Sequence, residues 1–244
     1  MAVVSEVKEN QLLAALPRRE FERLRERLEP VYLPFGQVLV EPNEPIPYVF
    51  FPRQGILSLV AVMDDGDTSE VGMVGNEGMA GLSVFLGGDQ AITRVLVRAP
   101  GDSWRLKSKV FKEVVRDSSA LQDILSRYTQ ALLSLISQTT ACNLLHPAQA
   151  RLRRWLLMAQ DRIGADEFHM TQEFIAGLLG VSRPTVSIVA GGIQRAGHIR
   201  YRRGKIRILD RAALESECCP CYNVMRHEYQ RLLEGAQSRS RAKA

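Results

Sequence analysis

The sequence predicts an α+β fold on three observations. Short apolar runs divided by Gly and Pro fill residues 31–106, a long helical pattern begins once the glycines stop after Lys107, and a basic C-terminal part holds the pattern of a helix-turn-helix. The chain has 244 residues, 45% of them hydrophobic and 24% charged, so two modest folded domains fit it and a disordered or fibrous chain does not. Its net charge of +5 is unevenly spread. Residues 1–145 carry 15 basic and 18 acidic side chains, net −3, whereas residues 146–244 carry 17 basic and 9 acidic, net +8. That asymmetry predicts a first part that regulates or binds and a last part that meets a polyanion.

From Asn10 to Glu29 the residues Leu12, Leu13, Phe21, Leu24 and Leu28 recur at helical spacing, with Pro17 separating two short helices. Next come the runs Val38–Val40, Tyr48–Phe51, Ile56–Val62 and Val95–Val97, which read as strands of an all-β barrel or sandwich, with Asp65-Gly66 at a hairpin tip. Beyond Lys107 the stripe Leu121, Leu125, Tyr128, Leu132, Leu135, Thr139 and Cys142 alternates steps of four and three. This heptad rhythm predicts a two-helix seam and a homodimer; the other reading packs the stripe on the chain's own barrel. No run reaches the 18 or so apolar residues of a spanning helix, and Met1 to Lys8 lacks the layout of a signal peptide, so a cytoplasmic protein with no membrane partner is expected.

Residues 171–189 have the internal logic of a helix-turn-helix. Thr171 is placed to cap the first helix, which Gln172 opens, and Ser182 to cap the second. Ala176 is small where two helices cross, and Gly180 suits a left-handed turn between them. Ile175, Leu179, Val181, Val186 and Val189 supply a buried wedge, while Pro184 falls in the first turn of the second helix, where a missing N–H is harmless. Arg183, Pro184, Thr185 and Ser187 are left facing outward near the end that enters a major groove. Arg183 matches the two acceptors of a guanine edge, its other reading being a phosphate or an intramolecular carboxylate contact. Residues 199–208 alternate apolar and basic around an Arg203-Gly204 tip and read as a β-hairpin wing. Arg195, Arg200, Arg202, Arg203, Lys205 and Arg207 follow one another with no acid between Gln194 and Leu209, which predicts contacts with phosphates and marked salt dependence.

With these motifs in place the chain resembles the Crp/Fnr family of transcriptional regulators over nearly its whole length. Leu178 to Val186 with Met170-Thr171 resembles the family's helix-turn-helix signature, Arg151 to Leu157 the helix before it, and Gly36 to Val40 and Tyr48 to Gly55 the early strands of its sensor domain. The resemblance implies an N-terminal β-roll (jelly-roll-like) effector domain over 1–116, a dimerisation helix over 117–145 bearing Leu121, Leu125, Tyr128, Leu132 and Leu135, a winged helix-turn-helix over 146–214, and a C-terminal helix and basic tail over 215–244. It implies double-stranded DNA as partner, contacted by Thr171, Gln172, Ser182, Arg183, Pro184, Thr185, Ser187, Gln194, Arg195, Arg202, Arg203 and Lys205, with RNA polymerase a further partner if the protein activates.

The departures from the family pattern concern the effector. Cyclic-nucleotide binders of the family hold the ribose with a Gly-Glu pair and the phosphate with an Arg followed by a small residue. Here, in the segment that begins at Gly78, Gly81-Leu82 stands for Gly-Glu, and the Arg position reads Thr93, with Arg94 one place along and so on the other face of a strand. Family-type cyclic AMP binding is therefore not expected, and the effector is unknown. The family's iron–sulfur sensors hold N-terminal cysteines, whereas the first here is Cys142, and the 4 histidines all lie in the second half, away from any haem in the β-roll.

The remaining cysteines, Cys218, Cys219 and Cys221, with His227, offer soft ligands at metal-like spacing. Zinc sites usually show two separated pairs, so no metal is expected; the cysteines are read as packing a helix from Tyr222 to Leu233 on the winged domain. No phosphate-binding loop, nucleophile elbow, zinc-protease motif or dinucleotide fingerprint occurs, so no enzyme is expected. The rival from another class is a signalling module, governed by metal or thiol redox, whose basic face binds protein or RNA without sequence selectivity.

Overall fold

The computed structural model describes residues 10–241, with side chains up to Leu232; residues 1–9, which include the start from Met1 to Lys8, and the last residues of the basic tail, 242–244, lie outside the described residues. The chain opens with α1 (Gln11–Ala14) and α2 (Arg18–Arg25), which Pro17 separates as expected. Asn10 fastens this start to the sheet that follows. Its Oδ1 accepts from the N–H groups of Leu12 and Leu13, and its Nδ2 donates to the carbonyls of Pro52 at 3.0 Å and Gly78 at 2.8 Å.

Seven strands then form two antiparallel sheets. One has the order β1 (Glu29–Leu33), β7 (Gly101–Lys107), β3 (Tyr48–Pro52); the other runs β2 (Val38–Val40), β6 (Arg94–Ala99), β4 (Ile56–Val62), β5 (Thr68–Val74). Val49, Phe51, Ile56, Leu57, Val74, Val97 and Leu106 bury their side chains between them. The alternation of buried and open positions along β6 is what two facing sheets require. The β4–β5 hairpin turns at Gly66 with φ +89°, where Asp-Gly marks the tip in the sequence. Two helices follow: α3 (Ser108–Asp117) and the long α4 (Ser119–Leu145), whose first turn is capped by Ser118.

The stripe on α4 belongs to the chain's own core. Leu121, Leu125, Tyr128, Leu132 and Leu135 are all 6% exposed or less within the single chain, Tyr128 donates to the Met79 carbonyl at 2.9 Å, and Leu135 lies against Gly72 of β5. The expectation that these five form an intermolecular seam is thereby corrected. A heptad row serves a barrel as well as a partner helix, and here one side of α4 is covered by the β-roll and another by the C-terminal helix. Gly78 is required beside it: a Cβ there would sit 2.5 Å from the Tyr128 hydroxyl.

The second domain holds α5 (Ala148–Ile163), the short β8 (Glu167–His169), α6 (Gln172–Leu179), α7 (Arg183–Arg195), β9 (Ile199–Arg202), β10 (Lys205–Ile208) and α8 (Arg211–Ser216). The sheet order is β8-β10-β9. The last helix, α9 (Cys221–Arg241), lies mainly along α4, and its packing on the winged domain, which the sequence suggests, is the smaller contact, made to α5. The two domains meet through buried polar contacts. Trp155 Nε1 of α5 donates to Glu70 of β5 at 2.7 Å, Arg162 pairs with Glu77 at 2.9 Å with both side chains nearly buried, and the Arg98 guanidinium lies 4.1 Å over the Phe174 ring of α6. Glu70 also accepts from the Ser58 hydroxyl; burial raises its pKa, and Ser58, Trp155, Arg98 and Arg154 oppose that rise.

Candidate nucleic-acid interface and effector domain

Helices α6 and α7 meet at a bend of 99° across Gly180, which takes the left-handed conformation (φ 60°, ψ 42°) that the turn demands. Thr171 caps α6 as its sequence position indicates, its Oγ1 accepting from Phe174 N at 3.1 Å. Ser182 does not cap α7 through its side chain; its hydroxyl instead meets the Thr185 hydroxyl at 3.0 Å. Pro184 occupies the first turn, where the N–H it lacks has no carbonyl to meet. Of the expected wedge, Ile175, Leu179, Val186 and Val189 are buried and Val181 is half-buried, and Ile193 extends it along α7. The helix runs on through Gly191 and Gly192, and a Cβ at Gly192 would come within 3.3 Å of Gln149 at the start of α5. That pair admits a close neighbour; it does not end the helix.

The outward side of α7 presents Arg183, Pro184, Ser187, Ile188, Gln194 and Arg195, all exposed, with Thr185 half-buried. In this state Arg183 is paired with Glu173 of α6, and both side chains are about two-thirds exposed. Gln172 donates to Ser187 at 3.1 Å. Gln194 holds the recognition helix to the wing, its Oε1 accepting from Tyr201 N at 2.6 Å. The helix-turn-helix pattern in the sequence singles out these polar positions and leaves out Ile188, which lies among them. Its side chain is 70% exposed in the middle of the face, an apolar contact of the kind a thymine methyl accepts.

The wing is the hairpin the alternation predicts, turning on Arg203 (φ 51°) and Gly204 (φ 74°). Ile199, Ile206 and Ile208 are buried, and Arg200, Arg202, Lys205 and Arg207 are exposed. The register sets Arg200 opposite Arg207 and Arg202 opposite Lys205. Like charges directly across a strand pair are unfavourable by themselves, and the Glu167 carboxylate lies 3.8 Å from Lys205. Such a face is stabilised by an external polyanion.

In the effector domain Gly81 adopts φ +92° and opens a short 3-10 turn from Leu82 to Val84, with Leu82 half-buried. Thr93 stands immediately before β6, which Arg94 begins. The Arg94 Nε donates to Glu41 Oε2 at 2.7 Å, so its charge is matched inside the chain. The structure thus groups Gly81 and Leu82 on one turn, ties Arg94 to the segment after β2, and places Gly78 against α4.

Of the C-terminal candidates, Cys219 and Cys221 are buried, Cys218 is half-buried and His227 is exposed. The two buried ones lie beside Cys142 and His146, two residues the sequence gives no reason to join to them, because they are 75 to 77 positions away. Neither Cys218 nor His227 belongs to that group.

Residues 30–118 match the family profile of the cyclic nucleotide-binding domain and residues 150–217 that of the Crp-like helix-turn-helix domain. No curated protein sequence matches the chain. Its fold is similar to that of a protein described as a Crp/Fnr-family transcriptional regulator from Eubacterium rectale, at 21% identity and TM-score 0.65 over 86% of this chain and 99% of that one. It is also similar to FixK2 from Bradyrhizobium japonicum (16%, TM-score 0.67, 79% and 98%) and to the cyclic di-GMP-responsive regulator CLP from Xanthomonas campestris (15%, TM-score 0.65, 80% and 100%). Among the described residues no single helix is long and apolar enough to cross a membrane. A cyclic nucleotide-binding domain followed by a Crp-like helix-turn-helix domain, in this order and on this fold, makes the chain a member of the Crp/Fnr family of transcriptional regulators.

Proposed function

We propose that the protein is a cytoplasmic homodimer that reads a pseudo-palindromic DNA operator. The observation that carries this reading is the wing's paired cations, Arg200 with Arg207 and Arg202 with Lys205, set beside an exposed recognition helix to which Gln194 ties them. Two such units related by a two-fold axis span half-sites about 34 Å apart, one helical turn of DNA. The Glu173 carboxylate holds the Arg183 fork until a guanine edge offers it two acceptors in exchange.

The dimer forms through the side of α4 that the chain leaves open. From Gln130 to Leu145 the helix carries no Asp, Glu, Lys or Arg, and Leu133, Leu144 and Leu145 are 59%, 84% and 73% exposed. An uncharged strip with open leucines is what a partner helix covers. The β-roll does not hold cyclic AMP in the family's usual way: Leu82 has no group for a ribose hydroxyl, and Arg94 is engaged by Glu41. CLP, with the same fold, is cyclic di-GMP-responsive, which supports a different small effector here. An effector acts by shifting the population between two arrangements of the recognition helices, through the contact of Glu70 with Trp155. If the protein activates transcription, RNA polymerase is its further partner.

The test is binding to duplex DNA over a range of salt, followed by fluorescence anisotropy. The reading predicts a steep fall of affinity with salt, and a slope smaller by roughly 0.9 for each phosphate that Arg202→Ala or Arg203→Ala leaves without its cation. An affinity indifferent to salt, or to both substitutions, contradicts it.

A further inference from the structure

We propose that Cys142, His146, Cys219 and Cys221 form a tetrahedral site for a thiophilic divalent cation, zinc. The four ligand atoms, three Sγ and one imidazole nitrogen, lie within 4.8 Å of one another. Cys142 Sγ is 3.5 Å from Cys219 Sγ, and Cys221 Sγ is 3.5 Å from His146 Nδ1. Ligands about 2.3 Å (sulfur) and 2.0 Å (nitrogen) from a tetrahedral zinc stand roughly 3.8 Å apart for two sulfurs and roughly 3.5 Å for sulfur and nitrogen, so the Cys221–His146 edge has the tetrahedral length and the Cys142–Cys219 edge is within about 0.3 Å of it.

The fold brings the ligands together from two helix ends. Cys142 lies in the last turn of α4, and His146 follows four residues later, just beyond the helix end. Cys219 precedes α9 and Cys221 is its first residue. Two pairs from distant segments are the arrangement of structural zinc sites, and the C-terminal sequence shows just one of them. The three cysteines are 0%, 6% and 2% exposed, a closed environment in which a bound ion keeps no place for substrate.

The surrounding charge fits the same assignment. A zinc ion with three thiolates and a neutral imidazole carries one net negative charge. Arg151 and Arg154 project from the next helix, α5, and their charges act on Cys142. Arg154 is 4% exposed, its hydrogen-bond partners are the thioethers of Met158 and Met225, and the Nε of each arginine has no partner. Two cations so placed beside three thiols are matched by an anionic metal centre. Gln138 Nε2 donates to Cys221 Sγ at 3.0 Å, the kind of outer contact that holds a ligating thiolate. Cys218, the adjacent thiol, stands outside the group.

The site fastens α9 to α4 at the point where the chain passes through His146 and Pro147 into α5, the helix on which the DNA-binding domain is built. The metal therefore fixes the direction in which that domain leaves the long helix.

The experiment uses the full chain purified under reducing conditions, and does not involve DNA. One zinc per chain is expected, together with cobalt substitution giving the visible bands of a tetrahedral cobalt–thiolate centre. Cys142→Ser and Cys221→Ser are expected to lower the retained zinc by about ten-fold or more, while Cys218→Ser and His227→Ala retain it. A folded wild-type chain with neither zinc nor a cobalt spectrum overturns the proposal. So does iron with inorganic sulfide in its place, a Cys142–Cys219 disulfide in the reduced preparation, or zinc falling equally in Cys218→Ser and Cys221→Ser. Where Cys142→Ser does not fold, the wild-type cobalt spectrum decides.

Discussion

In the proposed complex Arg183 exchanges one partner for another: the exposed Glu173 that it pairs with in the free protein for a base edge. An exposed ion pair contributes about 0–1 kcal/mol, so releasing it costs little beside a base contact of about 1–3 kcal/mol. Arg183→Ala is therefore expected to weaken the specific site by roughly ten-fold or more and to relax selectivity at one base pair, with little effect on random duplex. Equal weakening on specific and random DNA would make Arg183 a phosphate contact. Glu70 carries a second prediction. Burial raises its pKa in the folded chain, so stability is fullest below the ordinary carboxylate pKa and falls as pH rises through the elevated folded value. Glu70→Gln removes that penalty and keeps an acceptor for Trp155. Its melting temperature relative to wild type is expected to climb from mildly acidic to neutral pH, and a flat difference would contradict this. Thr171, Gly180 and Pro184 are legible in the sequence because each answers a local demand of the backbone. Ser182, which bonds Thr185 instead of capping, and the meeting of Cys142 with Cys219 are not, since both depend on where other side chains fall.

A helix records its apolar period in the sequence but not the identity of what covers it. The α4 stripe from Leu121 to Cys142 is legible as a stripe, yet its partner is the β-roll and α9 of the same chain. Periodicity does not decide this, because a seam between chains and a seam within one use the same spacing. The proposed dimer uses instead the open strip through Leu133 and Leu144. Leu133→Glu is expected to give a folded monomer by sedimentation and to abolish operator binding. Leu125→Ala, in the core, is expected to destabilise the fold by about 2–5 kcal/mol. A Leu133→Glu chain that remains dimeric would place the interface elsewhere. The wing is the most legible element, since alternation, the Arg-Gly tip and the cationic face all follow from ten consecutive residues.

Across the whole molecule, the order of domains is readable from composition: strands where glycines are dense, a helix where they stop, cations where the DNA-binding domain lies. The contact between the domains is not, because Trp155 with Glu70, Arg162 with Glu77 and Arg98 with Phe174 join residues that are far apart in the chain. That contact positions the recognition helix relative to the sensor domain, and in the proposed function it is where an effector signal would pass. The proposed function stands or falls on two copies of the chain reading one symmetric site. Selection of binding sites from a random duplex library, with the purified full chain at near-physiological salt and with or without a small-molecule extract of cells, decides it. A two-fold symmetric motif with half-site centres about 10 base pairs apart is the expected result. Recovery of an asymmetric motif, or of none under either condition, would contradict it.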